Sequence, residues 1–164
     1  MRWEWLQPYQ LEAPLKTKVL SSVMGDITIV GDNEAINRII LGNTIPTNGE
    51  VPVLLEETGE LILLYLSGEN VDFGGINLVF PENLEYFYRT IMEIPYGETV
   101  SYSEVARANG IHPRTVGLYL SKNPVPIIVP CHRVIGKNGT LGGFSAGIEW
   151  KKFLLHTEGI THIR

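Results

Sequence analysis

A single cysteine, Cys131, stands among 164 residues, so no internal disulfide can form. Only four histidines, His112, His132, His156 and His162, accompany it, and no paired-cysteine zinc spacing exists. No metal and no cofactor are therefore expected. No apolar run approaches the roughly 20 residues that a membrane span needs. The opening Met1-Arg2-Trp3-Glu4-Trp5 lacks the basic-then-apolar order of a secretory signal. These absences lead us to expect a cytoplasmic, reducing setting and no membrane partner. Hydrophobic content of 44% against 19% charged residues suits a globular chain of one ordinary domain or two small ones.

Acidic side chains are also missing where it matters. None occurs between Val105 and Ile148, a stretch that holds Arg107, Arg114, Lys122, Arg133 and Lys137. Residues 1–99 carry 5 Lys/Arg against 15 Asp/Glu, a net of −10, and residues 100–164 carry 8 against 3, a net of +5. The overall charge of −5 would argue against a polyanionic partner, but its distribution leaves a basic half that contains the cysteine.

Along the chain, Gly25–Val30 alternates at period two, Gly31–Glu34 is turn chemistry and Ala35–Leu41 resumes the alternation, which predicts a hairpin. A loop over Gly42–Gly49 leads to a helix over Leu54–Leu66, with Leu54, Leu55, Leu61, Ile62, Leu64 and Tyr65 as its apolar face. Residues 1–75 thus read as a small α/β module, acidic outside and without visible chemistry. From Pro81, Leu84, Phe87, Tyr88, Ile91 and Met92 recur at helical spacing, and Ile94–Gly97 closes that helix. Ser101 followed by Glu104 is a capping-box pattern opening a helix over Tyr102–Ala108. Asn109–His112 forms a turn, and Pro113 begins a second helix reaching Ser121, so the pair has the helix-turn-helix pattern. Gly136–Gly143 reads as a loop long enough to wall a pocket. Ile148–His156 reads as a helix capped at Gly159.

The cysteine lies in Asn123-Pro124-Val125-Pro126-Ile127-Ile128-Val129-Pro130-Cys131-His132-Arg133-Val134-Ile135. A lone cysteine is ordinarily a small buried hydrophobe. Here three prolines stiffen the approach, and His132 and Arg133 are expected to place positive charge beside the sulfur, the setting that lowers a thiol pKa. That favours a nucleophile over a filler.

Pro130-Cys131-His132-Arg133-Val134 preceded by Asn123-Pro124-Val125-Pro126 resembles the active-site signature of the O6-alkylguanine-DNA alkyltransferases, or methylated-DNA-protein-cysteine methyltransferases. The resemblance runs from about Phe87 to Gly159. It takes in Ile94-Pro95-Tyr96-Gly97, Ser101-Tyr102, Pro113-Arg114-Thr115-Val116-Gly117, Gly142-Gly143-Phe144-Ser145, Lys151-Lys152-Phe153-Leu154-Leu155 and Glu158. It implies an α/β chain, with a small ribonuclease-H-like scaffold module over 1–78 and a mostly helical DNA-binding and alkyl-transfer domain over 79–164.

Carried over residue by residue, Cys131 is implied as alkyl acceptor and His132, polarised by Glu158, as its base, through a water because neighbours on an extended strand point apart. Tyr102 is implied as the acid toward guanine, Asn123 as a hinge and Arg114 as the finger that fills the place of a flipped base. Thr115, Gly117, Lys122 and Arg133 fall on the DNA side. Val134 and Ser145 are expected to meet the base through backbone groups, between Leu120 and Phe144, with Lys151 nearby. The implied function is single-turnover repair, by a monomer, of duplex DNA carrying O6-methylguanine or O4-methylthymine. Two alternatives remain at this point: a Cys-His hydrolase or transferase, and an alkyltransferase-like protein that binds the lesion without transfer.

Overall fold

The computed structural model describes residues 15–47 and 49–164. Met1–Trp5, and with it the start of the expected 1–78 module, lies outside the described residues. Three antiparallel strands, β1 (Lys16–Ser22), β2 (Gly25–Gly31) and β3 (Ile36–Leu41), form a sheet in that order. β2 and β3 are the expected hairpin, with a register shift at Val30/Gly31. β1 was not foreseen and pairs with β2 from Lys16↔Gly31 to Ser22↔Gly25.

Helix α1 (Val53–Leu66) lies on this sheet. Its buried stripe is Leu55, Thr58, Gly59, Ile62 and Tyr65, a rotation away from the face read from the sequence: Leu64, read as part of that face, is exposed. The far edge of β3 is covered, because Ile36 exchanges hydrogen bonds with Asn77 and Val79, and Ile39 N–H donates to the Pro124 carbonyl at 2.8 Å. That last bond ties the sheet to the segment approaching Cys131 and satisfies an edge donor that would otherwise need water.

The rest is mostly helical: α2 (Glu85–Met92), α3 (Tyr102–Asn109), α4 (Pro113–Ser121) and α5 (Ile148–Thr157). Two-residue strands β4 (Val100–Ser101) and β5 (Val134–Ile135) pair in parallel, which sets the start of α3 beside the residues following the cysteine. One continuous hydrophobic core, from Ile27, Ile29 and Ile36 through Tyr88, Val116 and Val129 to Leu154, joins the sheet and the helices. No described helix is long and apolar enough to cross a membrane.

Candidate active site

The helix pair is built by local chemistry. Ser101 Oγ accepts from the Glu104 N–H at 3.1 Å and the Glu104 carboxylate accepts from the Ser101 N–H at 2.7 Å, so the expected capping box is formed and Tyr102 is held in the first turn of α3. Gly110, at φ 65°, ends α3 in the left-handed region. His112 Nδ1 then caps α4 by accepting from the Arg114 N–H at 3.1 Å, with Pro113 at its first position. Arg107, Arg114 and Lys122 are exposed, and Thr115 and Gly117 half-buried. Leu118 is 52% exposed, whereas Tyr119 turns inward and sets its ring edge-on against Phe87 at 5.2 Å.

At the end of α4, buried Asn123 donates from Nδ2 to the Val129 carbonyl at 2.9 Å and accepts from the Val125 N–H at 3.0 Å. Between these partners the chain doubles back, with the Val129 N–H donating to the Val125 carbonyl and Ile127 at φ 76°. A β-branched residue there costs on the order of 1–2 kcal/mol. Burial of Ile127 to 2% exposure helps hold it in place.

Cys131–Arg133 is a 3₁₀ turn rather than an extended strand. The expectation that positive charge from His132 and Arg133 activates the thiol is also corrected. Arg133 is buried, its Nε donating to Glu158 at 2.9 Å and its Nη1 to the Ile94 carbonyl at 2.6 Å. A guanidinium so engaged neutralises Glu158 and is withdrawn from the DNA-facing set. His132 is fully buried, and burial holds its pKa below the usual value, so it rests neutral. Burial pushes the Cys131 thiol up, opposed by Asn123 and by the charge of Lys151. The resting sulfur is a thiol, and ionising it requires a base.

That base sits in a network of which the sequence reading held only the His132–Glu158 pair. The Glu158 carboxylate accepts from His132 Nε2, Arg133 Nε, the Gly97 N–H at 2.8 Å and the hydroxyl of Tyr65. Against the cost of burial, these partners bring its pKa down to about 2. Tyr65 comes from α1, so the module read as devoid of chemistry contributes to the site. Its ring, on the buried stripe of α1, was visible as a core residue; the polar tip of a buried tyrosine, which ordinarily finds a partner, was the available signal. His132 Nδ1 is buried and has no hydrogen-bond partner among the described residues.

On the other side of Cys131 lies a cavity of about 290 Å³ lined by Tyr102, Gly117, Leu120, Ser121, Cys131, Gly143, Phe144 and Ser145. Of the expected pocket residues, Leu120, Phe144 and Ser145 line it, while Asn123, Val134 and Lys151 stand behind the wall. The Val134 carbonyl accepts from Lys151 Nζ at 2.8 Å. The buried ammonium also reaches the Gly143 carbonyl at 3.3 Å and the Tyr102 hydroxyl at 3.5 Å, and burial lowers its pKa to about 8. Gly142 makes this approach possible: at φ 71°, a Cβ on it would lie 2.5 Å from the Tyr102 hydroxyl oxygen.

The family model described as 6-O-methylguanine DNA methyltransferase, DNA binding domain, matches residues 84–160. A methylated-DNA–protein-cysteine methyltransferase of Saccharolobus solfataricus is 36% identical over 141 residues, covering 85% of this chain and 92% of that one. The crystal structure of Mycobacterium tuberculosis O6-methylguanine methyltransferase superposes with TM-score 0.75 at 29% identity, over 92% of this chain and 96% of that one. The crystal structure of OGT from the same organism in complex with DNA gives TM-score 0.75 at 33% identity, over 87% and 91%. Sequence, fold and the setting of Cys131 agree: the chain belongs to the methylated-DNA–protein-cysteine methyltransferase family.

Proposed function

We propose that this protein repairs O6-alkylguanine, and O4-methylthymine, in duplex DNA by moving the alkyl group onto Cys131 in a single turnover. The observation that carries this reading is the placement of the one cysteine: its residue lines a base-sized cavity behind the helix pair, and the next residue is a buried neutral imidazole whose Nδ1 has no partner among the described residues. The naming of the relatives as methylated-DNA–protein-cysteine methyltransferases and the DNA complex of a structural neighbour support DNA as the partner.

In this mechanism α4 faces a groove of DNA, with Arg107 and Lys122 meeting the backbone. Arg114, exposed at the start of α4, enters the stack in place of the extruded base, which costs least for a damaged pair. The base occupies the cavity between Phe144, Leu120 and Tyr102. His132 Nδ1 takes the thiol proton through one water, and the sulfur attacks the alkyl carbon as the bond to O6 breaks. The electron pair passes to the guanine ring, which takes a proton from Tyr102. The tyrosinate regains a proton from the neighbouring Lys151 ammonium, which solvent restores, and His132 gives the thiol proton to solvent, so the net transfer is one proton from thiol to guanine. Lys151, cationic at neutral pH, lies beside Tyr102 and favours the charge that builds there. Residues 79–164 carry binding and transfer, residues 1–78 serve mainly as scaffold, and a single chain suffices.

Replacing Cys131 by Ala tests the assignment. The variant should bind an O6-methylguanine duplex in a gel shift about as well as the parent and transfer nothing. Transfer that survives in this variant would remove Cys131 from the acceptor role.

A further inference from the structure

The role of Tyr65 follows from its two partners. Its hydroxyl donates to Glu158 Oε2, and its oxygen lies 3.1 Å from His132 Nε2. Glu158 Oε1 is held by the Gly97 N–H and Arg133 Nε. The other oxygen depends on His132 and Tyr65, with Arg133 more distant at 3.2 Å. A hydroxyl has one proton, and here it points at the carboxylate. The Nε2 side of the imidazole therefore faces two acceptors, Glu158 and the Tyr65 oxygen. Only the Nε2–H tautomer satisfies both, which leaves the Nδ1 lone pair free. The ring would bury equally well as phenylalanine: it is 1% exposed and packed edge-on against Tyr96 at 6.2 Å and near Phe73 at 6.3 Å. A buried hydroxyl has a desolvation cost that the apolar ring lacks, and both hydrogen bonds converge on the base.

We propose that Tyr65 is a positioning residue for alkyl transfer: from α1 its hydroxyl fixes Glu158 and the tautomer of His132, keeping Nδ1 available for the Cys131 proton. The inference rests on the alkyl-transfer reading above. The charged and titratable groups around His132 are Glu158, Arg133, Tyr65 and Lys151, with Cys131 preceding it and Tyr96 across Arg133.

The test is Tyr65→Phe, which keeps the ring, beside Phe73→Leu, which disturbs its packing and spares the hydroxyl. Three quantities are measured: single-turnover transfer from an O6-methylguanine duplex and from free O6-benzylguanine, duplex affinity, and the pH dependence of Cys131 alkylation by iodoacetamide. Tyr65→Phe should slow both transfers by about tenfold, displace the acid limb of the iodoacetamide profile and leave duplex affinity within about twofold. Phe73→Leu should lower the melting temperature without moving that profile. Parent-like rates and profile in Tyr65→Phe would overturn the inference, as would rate losses in both variants that track melting temperature with unmoved profiles. Should the parent protein transfer nothing from DNA, the repair reading fails, and the iodoacetamide profiles still decide the part of Tyr65.

Discussion

Replacing Glu158 by Gln should cost stability in a way that depends on pH. The carboxylate is 7% exposed, serves as counter-charge to buried Arg133 and has a pKa of about 2 against an ordinary 4.5. At about 1.36 kcal/mol per pH unit, that gap corresponds to roughly 3 kcal/mol of stability. Because the folded pKa is the lower one, this contribution is complete above 4.5 and is lost as the pH falls toward about 2. An amide keeps one acceptor and leaves the guanidinium without a counter-charge, a change of about 3–5 kcal/mol at neutral pH. At about 2–4 °C per kcal/mol for a chain of this size, melting should drop by roughly 10 °C. His132, held neutral below its ordinary 6.5, makes both proteins less stable under acid, since the unfolded imidazole takes a proton that the folded one refuses. The difference between the two proteins should therefore be present at pH 7 and shrink as the pH falls below 4.5 toward about 2. Thermal melts across pH 3 to 8 measure this. Equal melting at pH 7, or a gap that does not narrow by pH 3, would refute the reasoning.

Two other substitutions probe separate parts of the site. Arg114→Ala should slow transfer from duplex DNA far more than from free O6-benzylguanine, because only the duplex needs extrusion; equal losses in single-turnover assays would remove Arg114 from the finger role. Gly142→Ala places a methyl against Tyr102 and a side chain at positive φ, so stability should fall by about 1–2 kcal/mol and transfer by about tenfold, with DNA affinity little changed. Parent-like transfer in that variant would show that Tyr102 tolerates displacement.

Features encoded within a few residues were legible in the sequence. Ser101 with Glu104, Gly110 and Pro113 specify their own caps, and α3 and α4 follow within a residue or so of the reading. β1 was hidden because its burial runs Thr17 then Leu20 without strict alternation, and β4 and β5 are too short to show a period. The electrostatics of Cys131 failed for a different reason. Arg133 is adjacent in sequence, but its charge is settled by Glu158, 25 residues away. Tyr65 is further still, 67 residues from His132, and no spacing rule links a helix in the first half to a turn in the second. The face of α1 was partly misplaced because Leu64 is apolar yet exposed, while Thr58 and Gly59 are buried against the sheet.

The central claim is that Cys131 accepts one alkyl group and then stops, since a thioether carbon is a poor leaving site and no regenerating group stands near it among the described residues. Intact-mass measurement after mixing the protein with excess O6-methylguanine duplex tests it directly, with fragmentation to locate the added mass. The account predicts one methyl per chain, on Cys131, and an amount of repaired guanine equal to the amount of protein. Continued turnover, no mass gain, or a methyl on any other residue would contradict it.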